Sequence, residues 1–270
     1  MKIVDLHTHS RVSDGQYAPA QLVELAHRRG IQVLALTDHD ALDGIPQAAE
    51  AARKLGLELI PGIELGAREY RNLHILGYGF SPESPELLSF CAEMQAGREW
   101  QKRRIHSFLR EKGIEIDLGE VEELAGGQGV GRPHFAQVMV RHGWVKDSRE
   151  AFDRYLDTEE YARIERKKPT ARQCVEKIRQ AGGKAVLAHP YQLKLENGPL
   201  EEQVRQLKEY GLAGIECFYP KHTPEQEAFY LSLAQKYGLH ITGGSDFHGE
   251  KVKPEVELAR IQLEVEWLLA

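Results

Sequence analysis

Histidines and carboxylates recur in or just after most of the extended runs of this chain. His7 and His9 close the first extended run, and Asp14 follows in the next loop. Asp38, His39 and Asp40 follow the second run, Glu64 ends the third, and His74 lies in the fourth. His189 ends the fifth, and Asp246 and His248 follow the last. Side chains two apart on a strand share a face, so His7 and His9 can offer two imidazoles to one ion; Asp246 and His248 repeat that spacing. Any one of these histidines alone is better explained as a surface or satisfied core residue. Their coincidence at strand ends is not. Nitrogen and oxygen ligands without cysteine suit zinc, manganese or iron. The set His7, His9, Asp14, His39, Glu64, His74, His189, Asp246 and His248 is too large for one ion. A carboxylate such as Glu64 can bridge two, so two or three divalent ions are expected. Paired ions activate a water and clamp the oxygens of an in-line phosphoryl displacement.

The elements that must position these residues alternate. Extended runs at 2–9, 32–37, 58–64, 73–78, 185–188, 214–218 and 240–243 are separated by helical patterns at 19–29, 45–55, 170–180, 200–210 and 223–237. This rhythm predicts an α/β fold of parallel strands with crossover helices, and seven strands suit closure into a barrel. In such a barrel the C-terminal strand ends converge on one face, where active sites are built. The rhythm stops over 85–165, which looks helical and more heavily charged. The barrel is therefore expected at 1–84 and 166–270, with a helical insertion between. Gly126, Gly127, Gly129 and Gly131 mark a joint inside the insertion. The stretch after Pro254 is ambiguous between helix and strand.

Bulk properties narrow the function classes. The 270 residues are 41% hydrophobic and 28% charged with a formal charge of −6, which argues against a nonspecific nucleic-acid coat. No apolar run has membrane-spanning length, and Asp5, His7 and His9 interrupt any leader-like core at the start. Three widely spaced cysteines, Cys91, Cys174 and Cys217, read as reduced thiols, so a cytoplasmic location is expected. No obligate protein partner is evident.

Taken together, Asp5-Leu6-His7-Thr8-His9-Ser10, Ser13-Asp14-Gly15, Thr37-Asp38-His39-Asp40, Pro61-Gly62-Ile63-Glu64, His189-Pro190 and Gly244-Ser245-Asp246-Phe247-His248-Gly249 resemble the PHP (polymerase and histidinol phosphatase) superfamily. The blocks occur in order over nearly the whole chain. The resemblance implies a distorted seven-stranded (β/α) TIM-like barrel with a trinuclear site. By it, His7, His9, Glu64 and Asp246 would hold one ion. Glu64, His74 and His189 would hold the second, and Asp14, His39 and His248 the third. It also implies that a hydroxide bridging two ions is the nucleophile. Asp38 and Asp40 then read as partners that orient His39 and its loop.

The insertion bears on the substrate. Gly131-Arg132-Pro133-His134 sits at an expected helix start, where an arginine fork and backbone donors together suit a phosphate. A capping turn with a solvated arginine explains it equally well. Arg98 and Lys102, four apart, share one helix face and offer a basic wall, although a solvated face is commoner. The order barrel, Gly-Arg-Pro-His insertion, barrel, with the ending Thr242–His248, resembles a subgroup of bacterial phosphoesterases acting on nucleotides. That resemblance implies that Arg132 and His134 bind a substrate phosphate, with Ser245 as a further contact. His222 follows the sixth strand and opens on the active face, as a candidate substrate contact or general acid. Glu216 reads as a buried partner carboxylate or as packing, and Tyr17, Trp100 and Tyr219 as packing or base-stacking residues.

The function expected is hydrolysis of phosphate monoesters of small nucleotides, such as the 3′-phosphate of nucleoside 3′,5′-bisphosphates. The alternatives are a 5′-3′ exonuclease on short oligonucleotides and a histidinol-phosphate phosphatase, against which the Gly-Arg-Pro-His segment speaks. A non-enzymatic structural metal module is the reading from another class; the complete set of candidate ligands speaks against it.

Overall fold

The computed structural model describes residues 1–125 and 129–269, so Gly126 and Gly127 of the expected joint lie outside the described residues. Its strands are β1 (Lys2–Thr8), β2 (Val33–Leu36), β3 (Glu58–Gly66), β4 (His74–Tyr78), β5 (Lys184–Leu187), β6 (Gly214–Phe218), β7 (His240–Gly243) and β8 (Ile261–Leu263). The helices are α1 (Pro19–Arg28), α2 (Ile45–Leu55), α3 (Pro85–Glu111), α4 (Leu118–Ala125), α5 (Arg132–Arg141), α6 (Ser148–Ala151), α7 (Glu159–Ala162), α8 (Ala171–Gln180), α9 (Asn197–Tyr210), α10 (Pro224–Tyr237) and α11 (Glu266–Leu269).

The strands form one sheet in the order β7-β6-β5-β4-β3-β2-β1-β8. Two features correct the sequence expectation. An eighth strand, β8, pairs antiparallel with β1. It is three residues long, too short to show a periodic pattern. In addition, β4 runs antiparallel to both β3 and β5, so the sheet is not wholly parallel. Residues 67–73 are too few for a crossover helix, and a short link returns the chain beside the strand it left.

Burial follows the pleat. All four residues of β2 are buried. Val33 and Ala35 join Val4, Leu6, Ile60, Leu76 and Val186 in one cluster. Leu34 and Leu36 join Leu22, Val23 and Ala26 of α1 and Ala48 and Ala52 of α2 in another. Alternate residues thus serve opposite faces, as expected for a strand covered on both sides. The helices start where the sequence provides caps. Thr170 accepts from the Gln173 backbone before α8, and Thr223 from that of Gln226 before α10.

The sheet curls back on itself after β7. The Asp246 N–H donates to His7 O at 2.8 Å, the His9 N–H donates to Phe247 O at 2.9 Å, and Thr8 bridges Phe247. Gly244 permits this approach, because a Cβ there would lie 2.4 Å from His7 Cβ and 2.5 Å from His7 N.

The chain divides into two compact units, Met1–Ala92 with Lys168–Ala270, and Glu93–Lys167. The second unit has its own core, with Ile105, Phe108, Leu109, Val121, Phe135 and Met139 buried together. There α6 continues as a π-helical turn over Phe152–Leu156. Among the described residues, no helix is long and apolar enough to cross a membrane.

Candidate metal centre

Two buried aspartates hold the loops that present the candidate ligands. Asp38 accepts from the Ser10 N–H at 2.8 Å, Ser10 Oγ at 2.7 Å and Ser13 Oγ at 2.6 Å, which fixes the turn leading to Asp14. Its work is on that loop rather than on the His39 ring. Asp5 accepts from Ser245 N at 2.9 Å, Ser245 Oγ at 2.6 Å and Ala259 N at 2.8 Å, tying β1 to the segment that carries Asp246. Burial pushes the Asp5 carboxyl up to about 6, against the pull of the Ser245 donors. His189 and Asp246 both have positive φ, 24° and 56°, as does Asp40 at 52°. Non-glycine residues adopt such angles at a cost and keep them where the surroundings dictate them, commonly at functional sites.

Glu64 is the hub. Its Oε2 lies 3.2 Å from His7 Nε2, 3.1 Å from His9 Nε2 and 3.3 Å from His39 Nδ1. Its Oε1 lies 2.6 Å from His74 Nδ1 and 3.0 Å from His189 Nε2. One carboxylate from the end of β3 therefore faces five imidazoles from four other strands or strand ends. Asp246 Oδ1 adds contacts at 3.6 Å to His7, 3.3 Å to His9 and 3.4 Å to His248. Asp14 lies 3.2 Å from His248 Nε2 and 3.7 Å from His39 Nε2. The structure thus brings together all nine side chains singled out in the sequence.

Their donor atoms suit cations. His7, His9, Glu64 and Asp246 form one group whose donor atoms all lie within 4.8 Å of one another; His9, Asp14, His39 and His248 form a second, and His39, Glu64 and His74 a third. The first coincides with an ion site implied by the family resemblance. The second adds His9 to another. The third has His39 where His189 was expected, although His189 reaches the same Glu64 oxygen as His74. Both ring nitrogens of His9, Nδ1 of His39 and Nδ1 of His189 are buried without a hydrogen-bond partner. Buried imidazole nitrogens left so are costly, and cations at these positions would satisfy them. The residues present therefore fit divalent metal ions.

The charges are mutually arranged. Burial opposes ionisation of Glu64, yet His39, His74 and His7 hold it well below the usual carboxylate range. Asp14 and Asp246 are likewise held low against burial, chiefly by His39 and by His7. Burial pushes His39 down to about 3 and lowers His74. His9 goes the other way: burial disfavours its charge, but Asp246 and Glu64 beside it hold it at about 9. His7 is also raised, with burial outweighed by Glu216, Glu64 and Asp246.

A sign follows for metal uptake. Without metal, His9 stays protonated in the fold from its ordinary 6.5 up to about 9 and stabilises it below that window; the contribution is lost as pH rises through about 9. An ion must displace this proton, and a second from His7. Titrating the metal-free protein with manganese or zinc near pH 7 in weak buffer is expected to release one to two protons per chain. Affinity should fall about tenfold per pH unit on acidification for each proton displaced. Proton-neutral loading between pH 6 and 8 would contradict this ordering.

A further set of side chains backs the cluster. Glu216 of β6 lies 3.1 Å from His7 Nδ1 and accepts from the His189 N–H at 2.6 Å. Once the second proton is displaced, its carboxylate would keep the remaining His7 proton on Nδ1 and leave Nε2 as the lone pair for an ion. Tyr219 donates to Asp246 Oδ2 at 2.9 Å, and Lys253 Nζ lies 2.8 Å from the same oxygen. Of these, Lys253 had no signal in the sequence. Tyr219, a stacking or packing residue by sequence, engages its hydroxyl with Asp246. A cavity of about 230 Å³ opens beside the cluster, lined by ligand candidates together with Gln192, Val252 and Lys253.

The expected substrate contacts are placed less uniformly. Ser245 is fully buried, and its hydroxyl is spent on Asp5, so it is not presented to the cavity. His222 sits among Tyr191, Tyr219 and Tyr230 with Nδ1 donating to Cys217 O at 2.8 Å, and it does not line the cavity either. Both depart from the sequence expectation for the same reason: being next to the active strand ends does not dictate which way a side chain turns. Arg98, Lys102, Arg132 and His134 belong to the second unit. Arg132 bonds Leu156 O at 2.9 Å and Asp157 at 3.0 Å, and its guanidinium lies over the Phe152 and Tyr161 rings. His134 Nδ1 accepts from the Gly131 N–H at 3.0 Å, a capping role. Lys102 is shared by Glu99 and Glu122, each at 2.8 Å. Tyr17 bonds Glu250 and stacks on Phe247, while Trp100 is about half exposed.

Comparison with known proteins supplies the kinship. The model of the PHP domain matches residues 5–185. A 5'-3' exoribonuclease of Haemophilus influenzae is 34% identical over 248 residues, covering 92% of this chain and 90% of that protein. A 3',5'-nucleoside bisphosphate phosphatase of Chromobacterium violaceum is 32% identical over 92% of this chain and 88% of its own length. A phosphoribosyl 1,2-cyclic phosphate 1,2-diphosphodiesterase of Eggerthella lenta is 34% identical, with coverage of 92% and 95%. A solved structure from Bifidobacterium adolescentis, named as a metal-dependent phosphoesterase, superposes with a TM-score of 0.80 at 28% identity, over 98% of this chain and 95% of the other.

Proposed function

This chain belongs to the PHP domain family, and we propose that it is a metal-dependent hydrolase of phosphate monoesters on small nucleotides. The observation that carries this reading is Glu64, a buried carboxylate with five imidazoles around it. A purely structural core gains nothing from so many unpaired nitrogens. Two or three divalent ions, manganese, iron or zinc, would be held by His7, His9, Glu64 and Asp246, by Glu64, His74 and His189, and by Asp14, His39 and His248. When bound, such ions supply an activated water at neutral pH and neutralise charge on the phosphoryl oxygens.

The chain's own residues do the rest. Glu216 lies against His7 Nδ1, where it would keep the proton of a metal-bound His7, and it braces the His189 backbone. Asp38 holds the turn that carries Asp14, and Asp5 ties β1 to the segment that carries Asp246 across the seam. Tyr219 fixes Asp246 through one oxygen and leaves the other facing the imidazoles. The cavity of about 230 Å³ suits a phosphate with part of its ester group rather than a long polymer. Arg132 and His134 remain the proposed ligands of a further substrate phosphate, and the three free, buried cysteines support a cytoplasmic location.

The second reading is 5′-3′ cleavage of short oligonucleotides, favoured by the name of the Haemophilus influenzae relative. A substrate panel separates the two. With manganese, adenosine 3′,5′-bisphosphate is expected to give the highest kcat/KM, ahead of AMP, histidinol phosphate and a 5′-phosphorylated trinucleotide. Arg132→Ala should raise KM for the bisphosphate by about tenfold with a smaller effect on kcat, as loss of a charge-assisted contact predicts. Preference for the trinucleotide would transfer the assignment to an exonuclease. No release from any substrate by a folded, metal-loaded sample would leave a binding module.

A further inference from the structure

Among the described residues that line the cavity, Lys253 alone carries a fixed positive charge. It stands on the segment after β7, five residues beyond His248. Its side chain is 30% exposed, and its ammonium lies 2.8 Å from Asp246 Oδ2. That same oxygen already accepts the Tyr219 hydroxyl at 2.9 Å, so the Asp246 carboxylate is positioned without the lysine. The opposite oxygen, Oδ1, is the one turned to His7, His9 and His248. Lysine is a costly choice for a purely bracing role, because its long stem loses rotamer freedom when held. A cation drawn to the cavity edge instead suits an anion that arrives from solvent. The wall beside it carries Asp14, Glu64 and Asp246, whose charges repel any phosphate unless cations offset them.

We propose that Lys253 grips the phosphate group of the substrate at the edge of the metal cluster and so sets selectivity for a doubly charged ester; this rests on the phosphoesterase reading above. Tyr219 would keep Asp246 in place while the flexible stem of Lys253 turns the ammonium to the incoming phosphoryl oxygens. Gln192, on the same cavity, would cradle the neutral part of the ester.

The test compares Lys253→Met, which keeps the stem, and Lys253→Arg, which keeps the charge, in manganese-loaded protein. Lys253→Met should raise KM for a phosphate monoester about tenfold or more, with kcat within about threefold and metal content unchanged. Lys253→Arg should recover most of the loss. Calorimetric titration with inorganic phosphate should show a parallel weakening of about tenfold in the Met variant. An unchanged KM and phosphate affinity would overturn the proposal. So would loss of bound manganese, which would assign the lysine to bracing Asp246. If wild-type protein turned over no phosphoester, the function reading would fail by itself, while the phosphate titration would still report on Lys253.

Discussion

Glu64→Ala is expected to lower phosphoester turnover on the order of a thousandfold or more and to strip most of the bound metal. Removing a single outer partner of a metal ligand costs about ten- to a hundredfold. Glu64 is shared by His7, His9, His39, His74 and His189, so its loss is felt by every proposed ion position together. Glu64→Gln keeps the shape and removes only the charge, and it should fall nearly as far. The direction of the pKa shift agrees: the imidazoles hold this carboxylate charged despite complete burial, so a neutral amide cannot take its place. Metal content by elemental analysis and turnover in the same samples decide the matter, with circular dichroism to establish folding. A folded Glu64→Ala protein that kept its metal and worked within tenfold of wild type would remove the basis of the proposed function.

The second large effect is on stability. Gly244→Ala places a methyl group 2.4 Å from His7 Cβ and 2.5 Å from His7 N, both in β1. Neither neighbour is the far end of a flexible side chain, so the seam itself must part. Overpacking of this kind costs about 1–3 kcal/mol and sometimes more. At the upper end the melting temperature should fall by roughly 6–12 °C for a chain of this size. Metal should be lost as well, because the backbone that moves carries His7 on one side and Asp246 on the other. Gly198→Ala is the control: a Cβ there meets nothing within 4 Å, so the change should stay within about 0.5 kcal/mol. Thermal melts of both variants with and without manganese make the comparison. Equal melting temperatures would mean that the close approach at the seam is not under constraint.

Much of this was readable from letters alone, and the reasons are physical. A metal-binding side chain at a strand end breaks an apolar run, so His7, Glu64, His189 and Asp246 stand out against their neighbours. Capped helices such as α8 and α10 announce their starts with threonine and a glutamine three positions on. Strand direction left no such trace, because an alternating pattern looks the same read up or down; hence β4 was expected parallel. Three residues cannot display a period, so the stretch that holds β8 reads as helix or strand alike. The orientation of a side chain was equally hidden. Ser245 sits beside Asp246, yet its hydroxyl turns to Asp5, 240 positions away. Lys253 acquires its place only through Asp246, and nothing in Glu-Lys-Val-Lys-Pro distinguishes it from the lysine two positions earlier.

The seam between β7 and β1 has a consequence for biosynthesis. Asp246 and His248 emerge from the ribosome long after His7 and His9 have been waiting in the nascent chain. Until they arrive, the early histidines have carboxylate company from Glu64 but lack their last partners. A growing chain can therefore fold helices and pair its first strands, but it cannot carry out the chemistry of the finished site. Competence is withheld until almost the whole of this sequence has been translated, so products that stall short of residue 246 are expected to be inert.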